Sequence, residues 1–216
     1  MNCDERQLAS IRKLKTIGFI LFSLCFIYAI TTGLGFASLK SQNDPIGDPY
    51  FTIMEILILI ISPILLIYFI YTVFLRNDLS IINGVASIVF ITAMTIVTSI
   101  VHFSILAISR PIVQAMPIFS AIFSFTWPSF LYASDILAWD IFFPIACYLL
   151  IPYIVISNTR TKVGKIFWVI GTILSAIGII GVPLNSMQIR LIGVVGYAVF
   201  TPISILLISL GIKDNK

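Results

Sequence analysis

The chain of 216 residues is too apolar for a soluble domain of that length. Hydrophobic residues make up 59% of it, charged residues 10%, and the mean hydropathy is +1.10, whereas soluble domains average about 45–50% apolar and about 25% charged residues. Its 13 basic and 9 acidic side chains are too few to cover a soluble surface, so the composition predicts an integral membrane protein.

Six apolar stretches are long enough to cross about 30 Å of hydrocarbon, which takes roughly 20 helical residues. They cover 17–38, 51–75, 81–108, 134–157, 166–184 and 191–211. We therefore predict an all-α fold, a polytopic transmembrane helix bundle that forms one domain over 17–211. A basic N-terminus (1–16) and a short tail (212–216) flank it. The first stretch is longer than the apolar region of a cleaved signal peptide, so we expect it to remain as a span.

Basic residues concentrate in alternate loops. If the N-terminus is cytoplasmic, the cytoplasmic set is Arg6, Arg12, Lys13, Lys15, Arg76, Arg160, Lys162, Lys165, Lys213 and Lys216, and the outer set is Lys40, Arg110 and Arg190. This asymmetry obeys the positive-inside rule at every loop. It predicts that both termini are cytoplasmic.

The segment 111–133 is the alternative seventh span. Counting it as a span reverses every later loop, and the asymmetry of basic residues disappears. Pro111, Pro117 and Pro128 are more typical of a broken interfacial or re-entrant segment than of a straight helix. Its aromatic residues suit the headgroup level. We therefore predict six spans, with 111–133 at the outer face.

The sequence lacks the residues that several classes of protein chemistry require. Cys3, Cys25 and Cys147 show no C-x-x-C spacing, and a single histidine, His102, excludes a H-E-x-x-H metalloprotease. No phosphate-binding loop motif occurs. The net charge of +4 comes from basic residues beside the spans, which set orientation. We therefore predict no cofactor, no metal and no nucleic-acid partner.

Three ionisable side chains lie clearly inside the predicted spans: Glu55, His102 and Asp140. Charged groups in hydrocarbon are costly, so each calls for a functional or structural reason. The predicted topology places all three roughly 6–9 Å below the outer interface, at 1.5 Å per residue. Groups at one depth on three helices could meet, and we expect Asp140 to be the most important of them.

Neighbouring polar residues extend this pattern. Thr95 and Ser99 share a helical face with His102, and Tyr197 begins a similar polar face on the last span. Pro144 cannot donate to the carbonyl of Asp140. These features predict an outward-facing polar pocket roofed by 111–133. The alternative is that the hydroxyls bond their own backbone and the ionisable groups only hold helices together.

Two further charged residues receive structural interpretations. Asp135, just after Ser134, suits the first turn of a helix, where a carboxylate favours the helix dipole. Arg190 lies between two predicted spans, so we expect it at the rim of the bundle.

The stretches VHF (101–103), WPSFLYASDILAWDIFF (127–143) and IGVVGYAVFTP (192–202) resemble an uncharacterised family of small prokaryotic multi-pass membrane proteins. The resemblance runs from about residue 50 to the end. It carries no activity and supplies no catalytic residues. It implies a prokaryotic cell membrane as the location.

Three functional hypotheses follow. In the first, Glu55, His102 and Asp140, with Thr95, Ser99 and Tyr197, bind a proton, cation or small polar solute for binding or transport. In the second, His102 and a carboxylate form an acid/base pair that acts on a lipid or isoprenoid. In the third, the protein is a non-catalytic membrane partner or immunity-type protein. Membrane lipid and a small-molecule ligand are the expected partners.

Overall fold

In a computed structural model the chain is helical throughout its spans, and the structure describes residues 3–39, 46–76, 79–108 and 117–212. Six helices in this part are long and apolar enough to cross a membrane. They are span 1 (Leu8–Ala37), span 2 (Tyr50–Phe74), span 3 (Ile81–Ala107), span 4 (Phe130–Tyr153), span 5 (Thr159–Gly181) and span 6 (Met187–Gly211). The predicted six spans are confirmed by length and composition, which makes the chain a multi-pass membrane protein.

The last three spans begin about one to two turns before the apolar stretches do. Their starts are set by capping side chains: Ser129, Asn158 and Ser186 each accept a hydrogen bond from a backbone N–H in the first turn that follows. Span 1 also extends backwards, as part of a helix that begins at Cys3. For spans 5 and 6 the added residues include Arg160, Lys162 and Arg190, which a hydropathy window excludes. Span 4 instead takes its apolar first turn, residues 130–133, from the segment 111–133 that we assigned to the outer face.

Residues 117–129 contribute a short helix, Pro117–Phe123, followed by an irregular stretch that leads into span 4. Seven residues cover only about 10 Å, far less than a bilayer core. How this segment lies against the membrane stays a prediction. The predictions for Lys40, Arg110, Pro111, Lys213 and Lys216 lie outside the described residues.

Spans 4 and 6 each contain one widened, π-helical turn. These turns cover Leu137–Phe142 and Gly196–Phe200, and a proline follows each of them, Pro144 and Pro202. Within span 4, the backbone N–H after the turn, that of Phe143, bonds to the carbonyl five residues earlier instead of four. Proline lacks the backbone N–H that would donate to the carbonyl four residues earlier in an α-helix. Isolated π turns are frequent at functional sites.

We call the end of the bundle that holds the first residues of span 1 the proximal end, and the opposite end the distal end. Span 1 packs against span 2 and against the proximal half of span 6. There Gly18 approaches span 6 so closely that a Cβ would overlap the Ser209 hydroxyl. Across the middle of the bundle, large buried side chains form an apolar plug of Ile61, Phe69, Ile91, Met94 and Phe143.

Candidate functional site

Among the described residues, five charged or titratable side chains are buried towards the distal end: Glu55, His102, Asp135, Asp140 and Arg190. None of them is more than 6% exposed. Spans 2 and 3 contribute one each, span 4 contributes two, and span 6 contributes Arg190. At 1.5 Å per residue they lie between roughly 5 and 15 Å from the distal ends of their helices.

These side chains touch in a row in which acids and bases alternate, and we call them the acid–base chain. Glu55 Oε2 lies 2.5 Å from His102 Nδ1, and His102 Nε2 lies 3.4 Å from Asp135 Oδ1. Arg190 Nη2 donates to Asp135 Oδ2 over 3.0 Å. Arg190 Nε lies 3.4 Å from Asp140 Oδ2. Each base therefore faces a carboxylate on both sides, which offsets the cost of burying charge.

Arg190 is the most heavily engaged member. Besides its two carboxylate contacts, Nη1 donates to the Tyr132 hydroxyl over 2.9 Å, and the guanidinium lies 4.6 Å from the centre of the Tyr132 ring. The sequence placed Arg190 at the rim and gave Asp135 a helix-dipole role. The structure buries both and pairs them, because spans 4 and 6 begin earlier than predicted.

The π turn in span 4 explains how Asp135 and Asp140 both reach Arg190. In a regular α-helix, residues five apart lie about 140° apart around the axis. Hydrogen bonding to the fifth residue widens the turn and brings such residues towards one face. Asp135 lies two residues before this turn and Asp140 lies within it, and both carboxylates face the same guanidinium.

Asp140 occupies the inner end of the acid–base chain. Its carboxylate faces a close contact between spans 5 and 6, at Gly178 and Gly193. We expected Asp140 beside His102 in one pocket. The structure places Asp135 at His102 and Asp140 behind Arg190, and the side chain of Asp140 is 0% exposed.

A cavity of about 420 Å³ lies against the acid–base chain. Its polar wall is made by Glu55, His102, Tyr132, Asp135 and Arg190. Its apolar walls come from spans 1, 2 and 6, among them Cys25, Met54, Ile58, Val194 and Ala198. The volume is in the range of small-molecule sites, and such sites combine mostly apolar walls with a few convergent polar groups.

The remaining predicted site residues separate into two groups. Tyr197 lies on the cavity wall, 4.9 Å between ring centroids from Trp139. Thr95 and Ser99 are not among the residues that line the cavity. The Thr95 hydroxyl donates to the Ile91 carbonyl of its own helix over 2.8 Å, which is the usual use of a membrane threonine. Their role in ligand binding stays a prediction.

The irregular stretch before span 4 reaches over the polar wall. The Phe125 ring lies 5.7 Å from the His102 ring and 5.2 Å from the Tyr132 ring, between centroids. Trp127 donates its indole N–H to Asn185 Oδ1 over 2.9 Å, which ties this stretch to the turn between spans 5 and 6. This part of the expected aromatic roof therefore contacts the acid–base chain.

The sequence matches no protein-family model, and it is not significantly similar to any curated protein or solved structure. The function therefore has to be inferred from the geometry of the site, and the family resemblance stays a prediction. Among the described residues, no group of three or more His, Cys, Asp or Glu side chains is arranged to hold a metal ion.

Proposed function

We propose that the protein binds a small solute in the distal cavity, with a proton or cation held at the acid–base chain. The observation that carries the proposal is the cavity wall itself, where Glu55, His102, Asp135 and Arg190 are buried in contact with one another. Buried ionisable groups within a membrane bundle are functional by default, and a cavity beside them provides room for a ligand.

The proposal includes the orientation that the positive-inside rule gives, with both termini cytoplasmic and the distal end outside. Cysteines introduced at two exposed loop residues test this orientation, in a variant from which the native cysteines have been removed. Ile156 lies in a proximal loop and is 56% exposed, and Leu184 lies in a distal turn and is 60% exposed. Ile156→Cys should react with an impermeant maleimide only from inside, and Leu184→Cys only from outside. The reverse pattern would place the cavity on the cytoplasmic face.

The apolar plug favours a binding site over an open passage. Ile91, Met94 and Phe143 are 0% exposed beneath the cavity, so in this conformation they close the route to the proximal end. Transport would therefore require a second conformation, whereas binding requires only the cavity that is present.

Retention of a molecule by the purified protein tests the proposal. Native mass spectrometry should show an adduct on the wild type, or one after incubation with a lipid extract. Ala198→Phe fills the cavity wall and should remove it, whereas Ala133→Phe, on an exposed helix face, should not. An adduct that survives Ala198→Phe, or the lack of any adduct, would contradict the proposal.

A second candidate, an intramembrane acid/base enzyme acting on a lipid or isoprenoid, has one observation in its favour. Both ring nitrogens of His102 face carboxylates, Glu55 at 2.5 Å and Asp135 at 3.4 Å, and all three line the cavity. A carboxylate on one nitrogen orients the imidazole for proton transfer through the other. If this candidate holds, expression of wild type but not of His102→Gln should change the lipid profile of the host membrane. Identical profiles would leave binding as the function.

A further inference from the structure

The geometry points to a ligand class for the proposed site: a lipophilic organic monocation, an amphiphilic amine or onium ion, with its charge against Glu55 and Asp135. This inference depends on the proposed binding function, and the experiment below separates the two.

Charge balance is the first argument. The acid–base chain holds three carboxyl groups, those of Glu55, Asp135 and Asp140, against one guanidinium and one imidazole. With every group ionised, one negative charge remains in excess, and with a neutral imidazole two remain. Uncompensated charge is strongly unfavourable in a buried site. A bound monocation supplies the missing charge.

Among the described residues that line the cavity, Arg190 carries the one permanent positive charge, and it is already paired. Each of the three guanidinium nitrogens of Arg190 faces an oxygen of Asp135, Asp140 or Tyr132. One face of the guanidinium is also covered by the Tyr132 ring. An anion that approached Arg190 from the cavity would have to displace the Asp135 carboxylate. The site therefore disfavours anionic ligands although an arginine lines it.

Asp135 offers an acceptor towards the cavity. Its Oδ2 accepts from Arg190, but within the described residues its Oδ1 accepts no hydrogen bond, and His102 Nε2 lies 3.4 Å away. Asp135 is only 5% exposed and lines the cavity. A buried carboxylate oxygen of this kind needs a donor or a positive charge. A ligand ammonium or onium group would provide it.

Aromatic rings make up much of the remaining wall. The contributing residues are Tyr28, Phe51, Phe125, Tyr132, Trp139 and Tyr197. Ring faces attract organic cations, most strongly when the ion is desolvated, and they also pack against apolar groups. Rings and carboxylates together recognise an ion whose charge is carried on an apolar body.

Helix packing leaves room for the apolar part of such a ligand between spans 1 and 6. Span 1 packs extensively on the proximal half of span 6 but not on its distal part, residues 187–200. Cys25 of span 1 and Val194 and Ala198 of span 6 line the cavity where the two helices separate. An apolar chain can lie in this gap between helices while its charged end stays at the acid–base chain.

Tetraphenylphosphonium and tetraphenylborate provide a direct test, because the two ions have nearly the same size and opposite charge. Equilibrium dialysis of radiolabelled ions against the purified full chain in nonionic detergent should show saturable binding of the cation and none of the anion. Glu55→Gln should weaken cation binding about tenfold. Asp48→Asn should leave it unchanged, since Asp48 is an exposed carboxylate at the same end. Phe125→Leu, which alters no charge, should weaken it less.

The use of two oppositely charged probe ions keeps the inference testable on the wild type alone, even if a charge variant does not fold. Saturable binding of tetraphenylborate that equals or exceeds that of the cation would overturn the ligand class. If Ala198→Phe abolished that binding, the proposed solute cavity would still hold. Absence of saturable binding of both ions would also overturn the ligand class, and the proposed function would then depend on the adduct experiment.

Discussion

The two ends of the bundle satisfy buried polar groups in different ways. At the proximal end, neutral side chains bond to backbone carbonyls of neighbouring helices: Ser204 donates to Gly164, Asn158 to Gly211, and the Tyr153 hydroxyl to Ser80. At the distal end, ionisable side chains bond to one another. Neutral side chains that bond to the backbone do not change their charge, so these hydrogen bonds only hold the helices together. Paired acids and bases can gain or lose a proton or exchange a partner for a ligand, so the acid–base chain at the distal end can respond to its environment.

The largest effect expected at either end is that of removing the central cation. Arg190→Gln leaves Asp135 and Asp140 without their shared counter-charge and should lower the free energy of unfolding by about 3–5 kcal/mol. Thermal or denaturant unfolding in detergent measures this. Arg160→Gln, on an exposed helix start at the proximal end, is the matched control and should change stability by less than about 0.5 kcal/mol.

A double variant sharpens this result. Asp140→Asn should itself destabilise, yet in the Arg190→Gln background it should restore part of the lost stability, because one orphaned carboxylate disappears. Equal losses of stability for Arg190→Gln and Arg160→Gln would contradict the ion-pair geometry. So would a double variant of Arg190→Gln and Asp140→Asn whose loss equals the sum of the two single losses.

The next effect concerns the close contact behind Asp140. A methyl group on Gly193 would lie 2.8 Å from Asp140 Oδ1 and 3.0 Å from the Gly178 Cα, so Gly193→Ala should destabilise by about 1–3 kcal/mol. Gly33→Ala is the control, because a methyl group there would have no described atom within 4 Å. It should be neutral or slightly stabilising, since alanine favours helix. A stable Gly193→Ala protein would mean that spans 5 and 6 lie further apart.

A smaller loss is expected at the proximal end. Asn158 caps span 5 by accepting from Thr161 N over 3.1 Å, and it also donates to the Gly211 carbonyl. Asn158→Ala should cost about 1 kcal/mol of stability and leave ligand binding unchanged. Asn158→Ser keeps the cap and should recover most of the loss. Weakened binding in Asn158→Ala would remove the contrast between the two ends.

The smallest effect is expected for Ser99. This hydroxyl is half-buried and does not line the cavity, so Ser99→Ala should change stability by less than about 0.5 kcal/mol and leave binding unaffected. A clear loss of binding in the same dialysis experiment would show that the polar face of span 3 reaches the ligand after all.

Hydropathy was sufficient to predict the six spans and the buried positions of Glu55 and His102. It missed the pairing of Asp135 with Arg190 because it started span 4 at residue 134 and span 6 at residue 191, each four residues late, which left Asp135 in a first turn and Arg190 in a loop. The capping residues Ser129 and Ser186 carried a usable signal, since each precedes the true start of its helix. Starting the helices there would have placed both charges inside the bundle.

Helical periodicity did not predict one part of the site, the contact of both Asp135 and Asp140 with Arg190. In a regular α-helix Asp135 and Asp140, five residues apart, would point about 140° away from each other, so nothing in the sequence predicted that both carboxylates reach one arginine. The π turn brings them towards one face, and although Pro144 indicated an irregular backbone, it did not indicate an extra residue in the turn. The choice of His102 partner follows from depth: span 4 begins at Phe130, so Asp135 lies five residues from the distal end of its span, as His102 does, whereas Asp140 lies ten.

The apolar plug has an electrical consequence for the proposed site. Across a membrane, moving one elementary charge through 100 mV is worth about 2.3 kcal/mol. Voltage falls mainly across protein that excludes water, and the apolar plug, in which Phe69, Ile91 and Phe143 are 0% exposed, lies on the proximal side of the cavity. An ion that enters the cavity therefore crosses only a small fraction of the field. Its binding should depend little on membrane voltage, while any step that carried it past the plug would depend on voltage steeply.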